Sequence, residues 1–414
     1  MKGALGALLG RVLPALSFML AVIPVAVGAQ TAIVTGQVLD VETQAPLSGV
    51  VVTALPQGLE TLSDSRGRFR IEGVAPGMIR LEAATLGYAP RIVTDVMART
   101  SRATFVPIEM RVAAIEVEGI VVAADVFQTK EDSPTSSQRL SEVEIRRNPG
   151  GFGDISRSLL SLPGVLGGVD NRNDLLVRGG GPGENAYYLD GIRIPQINHF
   201  ATQGTAGGAL ALVNADFIED ATFFTGGFPA RYGGALSSVL TIQNRPGSSD
   251  GIAGDVTLGA SEAGITLDGP LGDEGNFLFS VRRSYLQFLF EALDLPIRPD
   301  YWDAQLSANW EPTSRDRFTL TGIGAIDEFG IVQPGPDADF ENKEIFQSVL
   351  DNDQKAFTLG GTYRRLVGDG GIFTIRASHS STDYQFSDED TAGEVVLTNT
   401  SLERETRVEA EGEA

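Results

Sequence analysis

From about Gly251 onward, apolar and polar residues alternate along the chain. Val256, Leu258 and Ala260 alternate with Asp255, Thr257 and Gly259. Ala304, Leu306, Ala308 and Trp310 alternate with Asp303, Gln305, Ser307 and Asn309, and Phe373, Ile375 and Ala377 with Thr374, Arg376 and Ser378. A period of two places the two sets on opposite faces of a strand. The pattern predicts about eight strands, the last running through Val408, Ala410 and Gly412. Short turns at 271–275, 311–316 and 366–370 alternate with long connections over 285–300, 327–354 and 381 to about 398, after a tight first turn near Ser261. A transmembrane β-barrel shows this apolar-out, polar-in alternation with short turns on one side and long loops on the other. A half-buried soluble sheet shows the same period, so the loops carry the distinction.

The earlier part of the chain is patterned differently. In residues 31–111, Ile33 to Leu39 and Phe69 to Glu72 alternate, and Ser65-Arg66-Gly67 and Pro76-Gly77 mark tight turns; strands and turns so spaced predict a small sandwich. Residues 112–135 pass from an apolar extended stretch, "IEVEGIVVAADV", to a polar linker, "QTKEDSPTSSQ". Asp154 opens a short helical pattern that Pro163-Gly164 ends. In "LLVRGGGPGENAYYLDGIRIP", residues 175–195, every position from Gly179 to Gly183 is Gly or Pro. No Lys and hydroxyl follow the last glycine, as a phosphate loop requires, and Glu184 stands where the dinucleotide fingerprint needs its third glycine. The better reading is two strands joined by a glycine turn.

A chain of 414 residues is long enough for two or three domains. A net charge of −22 and a pI near 4.5 argue against a nucleic-acid partner. The absence of cysteine removes disulfides, thiolate metal sites and cysteine nucleophiles. With His199 and His379 the only histidines, no catalytic constellation, metal centre or cofactor site is expected. The first residues read as a cleaved export signal: Lys2 and Arg11 carry charge, residues 13–27 are almost wholly apolar, and Val27-Gly28-Ala29 precede Gln30. A transmembrane helix is the competing reading, but the run is short and Pro14 and Pro24 interrupt it.

Two resemblances join these observations. "TGQVLDVETQAPLSGVVVTA…SDSRGRFRIEGVAPGMIRLEAATLGY" resembles the carboxypeptidase regulatory-like domain, an accessory module without catalytic residues. "DISRSLLSLPGV", "DLLVRGGGPGENAYYLDGIRI", the stretch from Asn214 to Asp220 and "GGFPARYGGALSSVLTI" together resemble the plug domain of TonB-dependent outer-membrane receptors. The resemblances cover most of residues 31–245. They imply a mainly β chain: an N-terminal β-sandwich, an α/β plug domain, then the first strands of an incomplete antiparallel transmembrane β-barrel. The expected divisions are a signal peptide at 1–29, the sandwich at 30–111, a linker at 112–135, the plug at 136–247 and the barrel portion at 248–414. An eight-stranded barrel fills its own interior, whereas plugged barrels have about 22 strands. The expectation is therefore the N-terminal part of a longer protein.

The plug resemblance implies roles for particular residues. Gly179, Gly180, Gly181 and Gly183 permit the backbone of a loop packed inside a barrel. Arg178 and Asp190 either hold the plug to the barrel wall or are solvated strand-end charges. Asp190-Gly191 and the closing Arg231, Tyr232, Gly233 and Gly234 belong to the same motif set. Glu118, Gly119, Ile120, Val121 and Val122 are either the TonB box, which pairs by strand addition with a TonB-type energy-coupling protein, or the first plug strand. The acidic loops at 336–342 and 387–390 are expected to be solvated and not cation sites, and His199 to make a structural hydrogen bond. The implied function is a TonB-dependent receptor in the outer-membrane lipid that binds an extracellular solute and imports it using inner-membrane energy. The alternative is an uncoupled cell-surface β-protein for adhesion or assembly. An enzyme ranks third.

Overall fold

The computed structural model describes residues 31–413 apart from 101, 114–135, 152, 169–171, 260, 334, 336–338, 349–350, 369–370 and 390–394. The expected signal peptide, the candidate box at Glu118 to Val122 and part of the 336–342 loop lie outside the described residues.

Seven strands build the first unit: β1 (Ala32–Asp40), β2 (Val51–Leu55), β3 (Leu59–Leu62), β4 (Arg68–Val74), β5 (Gly77–Ala84), β6 (Arg91–Ala98) and β7 (Thr104–Met110). They form two sheets, ordered β4-β1-β7 and β3-β2-β5-β6. Alternate residues of each strand, among them Val34, Val38, Val52, Ala54, Ile71 and Leu81, meet in one core between the sheets. This is the small sandwich that the strand and turn spacing indicates.

The middle unit contains β8 (Ser137–Ser141), α1 (Glu142–Arg147), α2 (Ile155–Leu160), β9 (Val165–Gly167) and β10 (Leu175–Val177). It continues through β11 (Asn185–Leu189), β12 (Ile192–Ile194), β13 (Asn198–His199), β14 (Leu210–Ala211), β15 (Ile218–Phe224) and β16 (Ser238–Asn244). Its main sheet runs β12-β11-β16-β15-β8, with β11 and β16 parallel. Local chemistry sets both helix starts. Ser141 and Glu144 form a reciprocal capping box at α1. At α2 the Asp154 carboxylate accepts from the backbone N–H of Ser156 at 2.7 Å and of Arg157 at 3.4 Å.

The last unit is one antiparallel sheet of eight strands in sequence order. They are β17 (Ala253–Leu258), β18 (Glu262–Pro270), β19 (Gly275–Ser284), β20 (Ile297–Thr313), β21 (Asp316–Ile331), β22 (Asp351–Val367), β23 (Gly371–Glu389) and β24 (Val395–Glu413). One face buries Asp303, Gln305, Ser307, Thr321, Asp327 and Thr358 against the middle unit, while the other exposes Leu320, Phe357, Leu359, Phe373 and Val408. Aromatic rings border this apolar face. At the short-turn end Trp310, Phe318 and Tyr363 line up across three strands, with centroids 5.4 and 4.7 Å apart. At the long-connection end the Arg283 guanidinium lies over Trp302, 4.8 Å from the ring centroid.

The long connections differ from expectation. The 285–300 stretch contains α3 (Leu286–Ala292), and α4 (Phe340–Ser348) lies between β21 and β22. Much of 381–398 is paired strand, Thr382 opposite Glu403 and Ser387 opposite Thr398. Backbone pairing does not require one apolar face, so a strand continuing past the apolar band loses its alternation without losing its ladder.

Candidate functional site

Of the residues singled out by sequence, the seam between the middle unit and the large sheet gathers Asp190, Gly191, His199 and Arg231, and not the glycine turn. Arg178 and Gly179 turn the chain at the end of β10 with φ of 49° and 84°. A side chain at Gly180 would lie 2.4 Å from the Ser237 hydroxyl, so this position admits only hydrogen. Gly181 precedes, and Gly183 is the middle residue of, a single 3-10 turn (Pro182–Glu184) that leads into β11. Arg178 is exposed and its guanidinium lies beside Gly226 of the same unit, away from the large sheet.

Asp190 does bridge the two units. Its carboxylate accepts from the backbone N–H of Asn244 at 2.8 Å, from the Asn244 amide at 2.7 Å and from the Thr321 hydroxyl of β21 at 2.8 Å. Burial pushes its pKa above the usual carboxylate range, while the Asn244 and Thr321 hydrogen bonds pull the other way. Gly191 completes the turn at φ 80°, and Arg376 of β23 lies against it, 2.9 Å from where a Cβ would stand. Glu219, on β15, is pushed up to about 8, chiefly by burial and then by neighbouring Asp220.

The densest contact is at His199. Its Nδ1 lies 2.6 Å from Asp327 Oδ1 and its Nε2 3.2 Å from Asp303 Oδ2, with the ring stacked on Tyr301 at 3.9 Å. The imidazole is fully buried. Burial opposes its charge, but the carboxylates of Asp327 and Asp303 outweigh that and raise its pKa to about 9. A charged ring donates from both nitrogens, which matches two carboxylate neighbours. Asp327 also accepts from the Phe200 backbone N–H at 2.8 Å and from the Gln354 amide. Arg282 donates to Asp303 at 3.0 Å and to the carbonyls of Ala211 and Leu212 at 3.1 and 2.7 Å. Four adjacent strands, β19 to β22, thus converge on the β13–β14 hairpin at the long-connection end.

Comparison with known proteins gives these units their names. Residues 33–111 match the carboxypeptidase regulatory-like domain and residues 129–239 match the TonB-dependent receptor plug domain. The chain carries a TonB-dependent receptor plug domain behind a carboxypeptidase regulatory-like domain. An alignment 232 residues long, covering 54% of this chain, is 27% identical to the TonB-dependent transporter Oar of Myxococcus xanthus. The chain spans 21% of that relative's length. Among solved structures, a mutant of the ferric enterobactin receptor PfeA of Pseudomonas aeruginosa matches 67% of this chain with 46% of its own, at 16% identity and a TM-score of 0.47. The copper transporter OprC matches 68% of this chain with 43% of its own, at 12% identity and a TM-score of 0.45.

The plug's closing motif lies near the Asp190 turn. Arg231 pairs with Glu413 at 3.2 Å on β24, and its guanidinium lies 5.4 Å from the Tyr232 ring centroid. Tyr232 packs against Tyr188 at 5.0 Å, Gly233 offers its carbonyl to the Tyr188 hydroxyl, and Gly234 lies beside Arg193. Sequence reasoning did not find the plug's other anchors. Asn214 reaches Gln305 and Ser280, and Arg245 pairs with Asp268 at 2.7 Å. The inward positions of the strand alternation were the available signal for the sheet-side partners. Among the described residues no group of three or more His, Cys, Asp and Glu is arranged to hold a metal ion.

Proposed function

We propose that this chain is the plug-bearing portion of a TonB-dependent outer-membrane receptor that binds an extracellular solute and admits it when inner-membrane energy displaces the plug. One observation carries the reading. The large sheet presents hydrogen-bonding groups to the plug and an aromatic-bordered apolar surface on its other face, as a barrel wall in lipid requires. The strands β18 to β24, each of at least nine residues, are then membrane-spanning, with the short turns periplasmic and the long connections outside. The sandwich meets the short-turn end, where Arg66 pairs with Glu274 at 3.2 Å and Arg317 donates to Gln37 at 3.2 Å. That is the compartment an energy-coupling protein reaches.

In this reading residues 1–29 direct export and are removed after Ala29. Residues 112–135 carry the TonB box at Glu118 to Val122, 136–247 form the plug and 248–414 the first part of the barrel. The box pairs through main-chain hydrogen bonds, so a proline there removes a donor and disrupts the added strand. Ile120→Pro in the full-length protein is expected to abolish uptake while surface binding persists, and Val121→Ala to have much less effect. Uptake by Ile120→Pro equal to wild type would overturn coupling through this segment.

A further inference from the structure

A charged network ties the regulatory-like domain to both other units. Arg102 stands between β6 and β7, and its side chain is only 5% exposed. Its guanidinium lies 3.6 Å from Asp255 of β17 and 4.0 Å from Glu142, the first residue of α1 in the plug. Arg99 of the same domain reaches Glu142 at 2.6 Å. Within the plug, Arg146 pairs with Glu142 at 2.7 Å and also with Asp216, whose backbone carbonyl accepts from Arg245 at 2.9 Å. Arg245 then pairs with Asp268 of β18. Four guanidiniums and four carboxylates, drawn from three structural units, form one balanced cluster.

Burial opposes the charge of Glu142, but Arg99 and Arg146 more than compensate and hold its carboxyl below the usual glutamate range. A tethered module that tumbles freely keeps its arginines in water. A guanidinium withdrawn from solvent is tolerated only where carboxylates meet it, and here those carboxylates belong to the plug and the large sheet. The position in the chain adds meaning. Glu118 to Val122 lie in sequence between Arg102 and Glu142, so a pull applied there acts between two groups that grip one another.

We infer that the regulatory-like domain is a docked restraint on the plug: Arg99 and Arg102 grip Glu142, and this grip opens before the plug leaves. The docking half stands on geometry alone. The restraint half rests on the import reading.

The chain has no cysteine, so once any cysteine in the remainder of the full-length protein is replaced, spin labels placed at Leu86→Cys and Asp273→Cys are unique. Dipolar spectroscopy in lipid vesicles is expected to give one narrow distance distribution. Arg102→Glu and Glu142→Gln should each broaden it, and Arg102→Lys should keep it narrow. Glu142→Gln carries the test alone should Arg102→Glu fail to fold. A broad distribution in the unsubstituted background overturns the docking, and a narrow one in both variants overturns the grip on Glu142 as what holds the domain in place. Pulling single molecules from a handle at position 120 is expected to lose its first force peak in Glu142→Gln. An unchanged force trace beside a broadened distance overturns the restraint and leaves the import reading untouched, since that reading is tested by uptake.

Discussion

His199 concentrates the electrostatics of the seam in one side chain. Replacing it with Gln removes the cation between Asp303 and Asp327 and leaves Arg282 as the remaining guanidinium partner of the pair. Disrupting a buried ion pair from one side costs about 3–5 kcal/mol, and chemical unfolding of His199→Gln should show a loss of that order. The pH dependence has a definite sign. The folded pKa of about 9 stands above the ordinary 6.5. The stabilisation is therefore fully present below about 6.5 and is lost as pH rises through about 9. Wild-type stability should fall between pH 7 and 10 by roughly 3 kcal/mol at most, and the His199→Gln profile should be flatter over that window. Little of this site was legible in sequence. A structural hydrogen bond at His199 could be anticipated, but its two carboxylates lie 104 and 128 residues downstream. Arg178 and Asp190 looked alike as strand-end charges. Only the fold separates them, by turning Asp190 toward Thr321 and Arg178 toward Gly226.

Short elements of the plug depend on their ends. Asp154 caps α2 and also accepts from the Asn173 amide at 2.8 Å. Asp154→Ala should cost about 0.5–2 kcal/mol for the cap, with the orphaned Asn173 amide adding to it, read as a lower denaturation midpoint; Asp154→Asn should recover part of the loss. This cap was readable, because Asp before an apolar helical run is a local signal. The Ser141–Glu144 capping box carries a local signal of the same kind, S-x-x-E, but it went unread and α1 was missed with it. The two-residue strands β13 and β14 were not, since so short a pair has no period and exists only where Arg282 and the His199 contacts hold it. The outer lengths of β23 and β24 escaped for the converse reason: their ladders continue after the apolar alternation has ended.

At the scale of the whole molecule, order was legible and docking was not. Alternation marks the eight strands and ordered motifs mark the sandwich and plug, but each unit's own pattern says nothing about where Arg102 will be buried. The apolar face of the large sheet makes a direct prediction. Leu359 is 49% exposed at the middle of β22, beside Gly322 of β21. Leu359→Arg should weaken folding into vesicles by about 2–4 kcal/mol, the cost of a cation at the bilayer midplane, measured as a smaller folded fraction after urea dilution; an unaffected fraction would count against a lipid-facing surface. The same face holds both tryptophans of the chain, Trp302 and Trp310, on the single strand β20. Eight residues of strand separate them by about 27 Å along its axis. At a tilt of about 40° that becomes roughly 20 Å along the membrane normal, one indole in each leaflet. The protein therefore carries its own depth gauge. Lipids brominated near the headgroup should quench both indoles, lipids brominated at the chain ends should quench neither strongly, and a quencher confined to one leaflet should silence only one of them.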